Sequence, residues 1–278
     1  MQPPEPQDRV QRVTRTFEAV ADDYDQSGVS FFRPIASRLV GLLGIRPGER
    51  VLDVGCGRGA VTLPAAAAVG DTGSVTAVDV SRAMAAHTRA AAERGGFGNV
   101  SVAVLDATRP SLPERSFDVL AASLVLFFAP DPAATLDGWL RLVREGGRVG
   151  VTTFGDQDEV WQQVDELFHP YLPPGFLDPR VRGDEDPFAT DATMERLMAG
   201  AGGHDVRTVR EPFTVHFEDA AQWRRWSMGT GQRAFWGFVP ESERETLFRR
   251  AAALLEQTRD DEGRLVVSQD VRHTLAGV

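Results

Sequence analysis

Residues 51–59 read Val51-Leu-Asp-Val-Gly-Cys-Gly-Arg-Gly59, and Asp79 follows twenty residues later at the end of Ser74-Val-Thr-Ala-Val-Asp79. Val51 to Val54 is a short apolar run with strand character, and the segment from Ala60 to Val69 reads as a helix. Three glycines at a strand-to-helix turn let the backbone approach a ligand that a Cβ would hold off. The helix start then offers free N–H groups to an electron-rich partner. Asp79 closes the next strand on the same edge, where a carboxylate can accept from a ribose diol. The unit is a nucleoside-binding βαβ element, and the residues around it decide which nucleoside.

Strands and helices alternate outward from this point. The pattern predicts strands over 50–54, 74–79, 100–105, 117–123 and 147–153, with helices over 60–69, 82–94 and 132–144. Short turns between them indicate a parallel sheet covered on both faces, whose ligands sit beyond the carboxyl ends of the strands. Upstream, Val10, Val13, Phe17 and Val20 have helical spacing, and a second amphipathic stretch runs from Ile35 to Leu43 before Gly44. Residues 1–8, with three prolines, are expected to be unstructured. After Gly155 the rhythm changes: a helix over 157–169, an irregular Pro170–Gly175 loop, a helix from Thr190 to Ala201, a strand from His204 to Phe217, helices through 218–258 and a last strand over 264–274. This divides the chain into a helical lid segment (1–45), a Rossmann-like core (46–155), and cap helices with the last two strands (156–278).

Composition narrows the partners. A net charge of −10 leaves no concentrated basic surface, so nucleic acid is not the expected substrate. All thirty basic residues are arginine, which excludes a Schiff-base lysine and a P-loop lysine. The single cysteine, Cys56, cannot form an intrachain disulfide or a cysteine-rich metal site, and no His/Asp/Glu spacing resembles a metal site. No apolar run approaches the ~20 residues needed to span a bilayer, and no signal-like apolar run follows the polar start. A cytoplasmic location is the expectation. The N-terminal helix closes its own site or exchanges with a neighbour, which leaves a homo-oligomer open.

Gly55-Cys-Gly57-Arg-Gly59-Ala60 satisfies one form of the dinucleotide fingerprint, so a nicotinamide or flavin enzyme is formally allowed. Asp53, two residues before the glycines, and Gly59 point elsewhere. Together with Phe17-x-x-x-Ala21-x-x-Tyr24-Asp25, Val78-Asp79-Val-Ser81-x-x-Met84, Asp106-Ala107, Ser116-Phe-Asp118 and Asp261-Glu-Gly-Arg264, the chain resembles class I S-adenosylmethionine-dependent methyltransferases of the ubiquinone and menaquinone type. The resemblance implies a doubly wound, seven-stranded, mostly parallel sheet with the last strand antiparallel and a helical cap. It implies that Asp53, Gly55, Cys56, Gly57 and Gly59 wrap the methionine part of S-adenosylmethionine. Asp79 and Val80 would meet the ribose, Met84 the adenine ring, Asp106 and Ala107 the adenine edge, and Ser123 the amino-acid end. Tyr24 would close near the sulfonium.

Relatives often carry two histidines where this chain has Leu124-Val-Leu-Phe127-Phe128-Ala-Pro130-Asp131, so the wall of the site is apolar and one candidate base is gone. Four of the five tryptophans fall between Phe154 and Phe238, which implies a bulky apolar substrate bound by Phe127, Phe128, Phe176 and Trp226. His169 and Tyr171, in the loop after the fifth strand, are the preferred catalytic pair beside Tyr24. His87 and His273 are expected to be solvated. The reading is methyl transfer to carbon or oxygen of a small apolar, isoprenoid- or polyketide-like metabolite, with a slight lean to carbon. The rivals are a cyclase, or a methylation-triggered cyclase, on the same fold, and an NAD(P)-dependent oxidoreductase.

Overall fold

The computed structural model describes residues 6–173 and 186–278. Its centre is β1 (Arg50–Val54), which pairs in parallel with β2 (Ser74–Asp79) on one side and β4 (Phe117–Ser123) on the other. β3 (Val100–Val104) extends the sheet beyond β2, and β5 (Val143–Gln157) extends it beyond β4, both in parallel. β7 (Leu265–Gly277) inserts antiparallel between β5 and β6 (His204–Phe217), giving the order β3-β2-β1-β4-β5-β7-β6. This is the expected seven-stranded sheet with one antiparallel strand.

The alternation of side chains along each strand sorts the core into two faces. Val51, Val75, Val119 and Ala121 pack with α2 (Phe32–Leu43) and α3 (Thr62–Val69). Leu52, Val54, Leu120, Ala122, Val149 and Val151 belong to the larger cluster, which includes residues of α5 (Pro132–Leu142), α6 (Glu159–Glu166) and α7 (Asp191–Gly200). The cap helices α8 (Ala220–Met228), α9 (Arg233–Phe238) and α10 (Glu241–Leu255) join this second cluster. Helix starts follow local chemistry. Ser81 caps α4 (Arg82–Arg94), Asp131 caps α5 with Pro132 in the first turn, Asp158 caps α6, and Thr190 with Thr193 forms a capping box for α7.

Three expectations are corrected. Helix α1 (Pro6–Val20) already runs from Pro6, inside the stretch expected to be unstructured. Helix α5 stops at Leu142, and β5 starts at Val143 because that residue pairs with Phe117 across a register shift. His273 is not solvated. β7 lies inside the sheet rather than at its edge, which leaves His273 2% exposed with Nδ1 against the Thr152 hydroxyl at 2.9 Å. Burial lowers its pKa to about 4, so the ring is neutral.

Candidate functional site

The glycine turn leaves β1 at Gly55, whose φ of +70° suits glycine, and a Cβ there would overlap the Val125 side chain. The amides of Gly55 and Cys56 donate to Val78 O at 2.8 and 3.0 Å, tying the turn to β2. At Gly57, with φ +53°, a Cβ would meet no heavy atom within 4 Å, so this side of the turn is open. Asp79 spans the same gap: one carboxylate oxygen accepts from Gly57 N at 2.8 Å and the other from Ser81 N at 2.9 Å. Burial raises its pKa, and the two amides pull it back.

Beneath the turn, Asp53 is 1% exposed and accepts from the Thr62 hydroxyl. Burial pushes its pKa up to about 7. At the end of β3, Asp106 Oδ1 accepts from Thr108 N and Oγ1, both at 2.8 Å. The Ala107 carbonyl is held by Trp139 Nε1 at 2.7 Å. Leu124, just past β4, has a left-handed φ of 60°, a costly conformation for a branched side chain.

These groups surround one cavity of about 760 Å³, its open mouth included. Gly55, Gly57, Asp79, Val80, Met84, Asp106, Ala107 and Ser123 line it, and Tyr24 and Phe128 close it. Asp53, Cys56 and Gly59 are not in the lining. Cys56 and Asp53 are buried, and Gly59 packs toward Leu63 and Thr88. Burial first, then the charges of Asp25 and Asp79, raise the Tyr24 pKa well above its ordinary value. Its hydroxyl therefore stays protonated and is no base at neutral pH.

The remaining predicted residues lie elsewhere. His169 is exposed, and the Tyr171 hydroxyl donates to Glu243 at 2.5 Å, so neither lines the cavity. The short turn over His169–Tyr171 meets α10, which carries Glu243. Phe127 is buried behind Phe128, with ring centroids 4.7 Å apart, and Trp226 packs inside the cap. Phe176 lies outside the described residues.

Sequence reasoning missed Val10, Val13 and Phe17 as lining residues, and also Thr108, Val125, Thr135 and Trp139. The apolar spacing in α1 was the available signal for the first three, since such a face must be covered by something.

Aromatic rings connect the cavity to the cap in a closed series of contacts. From Tyr24 the series runs to Phe32 (4.5 Å), Phe31 (4.9 Å), Phe154 (6.3 Å), Phe127 (5.4 Å), Phe128 (4.7 Å), Phe17 (5.4 Å) and back to Tyr24 (6.0 Å). Phe31 and Phe127 are buried, and the other members keep exposed surface.

Residues 51–147 match the methyltransferase domain family. Over 254 residues the chain is 35% identical to nocamycin O-methyltransferase of Saccharothrix syringae, covering 88% of this chain and 89% of that one. Over 167 residues it is 36% identical to aklanonic acid methyltransferase DauC of Streptomyces sp. (strain C5), covering 60% of this chain and 76% of the relative. Phosphoethanolamine N-methyltransferase 2 of Haemonchus contortus, solved with phosphomonomethylethanolamine and S-adenosylhomocysteine, shares the fold at a TM-score of 0.61 and 16% identity, over 99% of this chain and 60% of that one. The chain belongs to the S-adenosylmethionine-dependent methyltransferases. The nicotinamide reading of the glycine turn falls with that membership. Among the described residues no helix is long and apolar enough to cross a membrane.

Proposed function

We propose that this chain moves a methyl group from S-adenosylmethionine to oxygen or carbon of a small, largely apolar metabolite. One observation carries the reading: the glycine turn, Asp79 and Asp106 meet Tyr24 and Phe128 around a single cavity. The residues suit the cofactor. Gly57 leaves room for close approach, Asp79 offers a desolvated carboxylate to a diol, and Asp106 Oδ2 is not used by Thr108. Met84 and Val80 provide apolar walls for the adenine, Ala107 a backbone amide at its edge, and Ser123 a place for the amino-acid end. Asp53, Cys56 and Gly59 shape the turn from behind.

When bound, the cofactor supplies an activated methyl group on a sulfonium. The protein contributes alignment and exclusion of water, which can be worth ~7–11 kcal/mol. Tyr24, which lines the cavity, would present its ring to that positive charge and stabilise it. Among the described residues no histidine lines the cavity, and Tyr24 holds its proton, which favours an acceptor whose nucleophile needs no deprotonation by either. Electron-rich carbon or an oxygen already ionised at neutral pH meets that need. The full-length likeness to an O-methyltransferase supports oxygen. In this reading residues 1–45 are the lid, 46–155 hold the cofactor and 156–278 cover the substrate.

Titration with S-adenosylhomocysteine and NADH tests the cofactor, with binding expected for the first alone. Incubation with trideuteromethyl cofactor and candidate acceptors should yield products heavier by the label. A product that forms only with enzyme present yet carries no label would replace transfer with a cofactor-binding cyclase.

A further inference from the structure

Thr135, in α5, is 3% exposed and lines the cavity. Its amide donates to Asp131 O at 3.0 Å, and its hydroxyl makes no hydrogen bond among the described residues. Other threonines around the glycine turn and the strand ends are used differently: Thr62 donates to Asp53, Thr88 to Gly57 O and Thr108 to Asp106 Oδ1. Thr14, inside a helix like Thr135, turns its hydroxyl back on Val10 O at 2.9 Å, a route Thr135 does not take. A nearly buried hydroxyl that bonds neither its own helix nor a neighbour loses water without return unless a ligand meets it. Position names that ligand. Trp139 lies one helical turn further along the same face of α5, with about 5–6 Å expected between the two Cβ atoms, and it lines the cavity as well. Its indole N–H donates to Ala107 O at 2.7 Å, which fastens this face of the helix to the segment after β3. Asp106, Ala107 and Thr108 of that segment line the same cavity, and the first two are the proposed contacts for the adenine edge. Thr135 is thus the polar group that α5 brings to that edge.

We infer that Thr135 is a further adenine-reading residue: its hydroxyl oxygen accepts a hydrogen from the exocyclic amine of the methyl donor's purine. This rests on the methyl-donor reading and adds a specificity-determining residue to that same site. The amine carries two hydrogens. Asp106 Oδ2, which Thr108 leaves unused, takes one, and the other needs a second acceptor. A threonine hydroxyl offers two lone pairs for it. Being uncharged, it is also less costly to hold at 3% exposure than another carboxylate would be.

The test measures, by calorimetry on the full chain, the binding of S-adenosylhomocysteine and of its analogue in which hydrogen replaces the exocyclic amine. Thr135→Val, which keeps the shape and removes the hydroxyl, should weaken S-adenosylhomocysteine about fivefold and leave the analogue's affinity unchanged. Thr135→Ser, which keeps the hydroxyl, should retain the preference of the unaltered chain for the amine. A merely structural role would lower both affinities together in Thr135→Val, and that result overturns the inference, as does an unchanged affinity for S-adenosylhomocysteine. Equal affinity of the unaltered chain for the two ligands overturns it as well, whatever the variants do. Failure of S-adenosylhomocysteine to bind the unaltered chain would instead sink the methyl-donor reading.

Discussion

At the scale of single residues, Asp79 holds the most tightly defined position in the site. Its two oxygens tie Gly57 to Ser81, so it orders the turn as well as facing the cavity. Asp79→Ala removes both functions. The expected result is at least a tenfold loss of S-adenosylhomocysteine affinity by calorimetry, about what a lost charge-assisted hydrogen bond costs. Unchanged affinity would reject the ribose assignment. Gly55 is constrained differently, by its positive φ and by Val125. Gly55→Ala should abolish cofactor binding, and adding Val125→Ala should recover part of it. If the double variant binds no better than the single one, backbone strain alone decides the position.

At the scale of elements, α1, the proposed lid, is tied down by polar contacts beyond its own helix. Glu18 accepts from Arg82 N and Ala83 N at the start of α4. Arg58 Nη1, in the glycine turn, donates to the carbonyls of Ala21 and Asp22, and Asp22 meets His87 at 2.9 Å. Arg9 donates to the Phe127 carbonyl at 2.8 Å. Helix α1 and the turn after it are thus joined to α4, to the glycine turn and to the segment after β4. The ties are partly exposed, so each contributes modestly. Glu18→Ala should raise the dissociation rate of S-adenosylhomocysteine about threefold to tenfold and leave association nearly unchanged, measured by stopped-flow fluorescence. The opposite pattern, a slower association with an unchanged off-rate, would mean that α1 is not a lid over bound cofactor. The apolar spacing of α1 was legible in the sequence, but its partners were not, because Phe127 and Arg82 are distant along the chain.

At the scale of the whole molecule, two buried groups set opposing pH dependences. Asp53 titrates near 3.8 when unfolded and near 7 when folded, so the folded state holds its proton between those values. Stability from this group therefore falls as pH rises from about 4 to about 7. His273 titrates near 6.5 unfolded and near 4 folded, so the unfolded chain takes up the extra proton and stability falls as pH drops through that window. The two slopes offset each other between about pH 4 and 6.5. Asp53→Asn should expose the histidine slope, with Tm rising with pH more steeply than in the parent chain. His273→Gln should expose the aspartate slope, with Tm rising less or falling. Differences of about 5 °C across the window are expected by calorimetry. Identical slopes in all three proteins would show that burial shifts neither group.

The sequence by itself determined the strands, the glycine turn and the acids at the strand ends. Each follows from local patterning: period-two and helical spacing, or a glycine where φ is positive. The strand-end side of the cavity is built from short segments, and half of the cavity's lining residues could be read from the sequence. Only the tertiary structure decided which residues meet around the cavity. His169 and Tyr171 looked well placed by their loop, yet neither lines the cavity and Tyr171 goes to Glu243. His273 looked terminal and solvated, yet the insertion of β7 between β5 and β6 buried it. Trp226 was expected to bind the substrate, yet it packs inside the cap and does not line the cavity. Pairing across a sheet and contact between cap helices depend on residues far apart in the chain, and no local period encodes them.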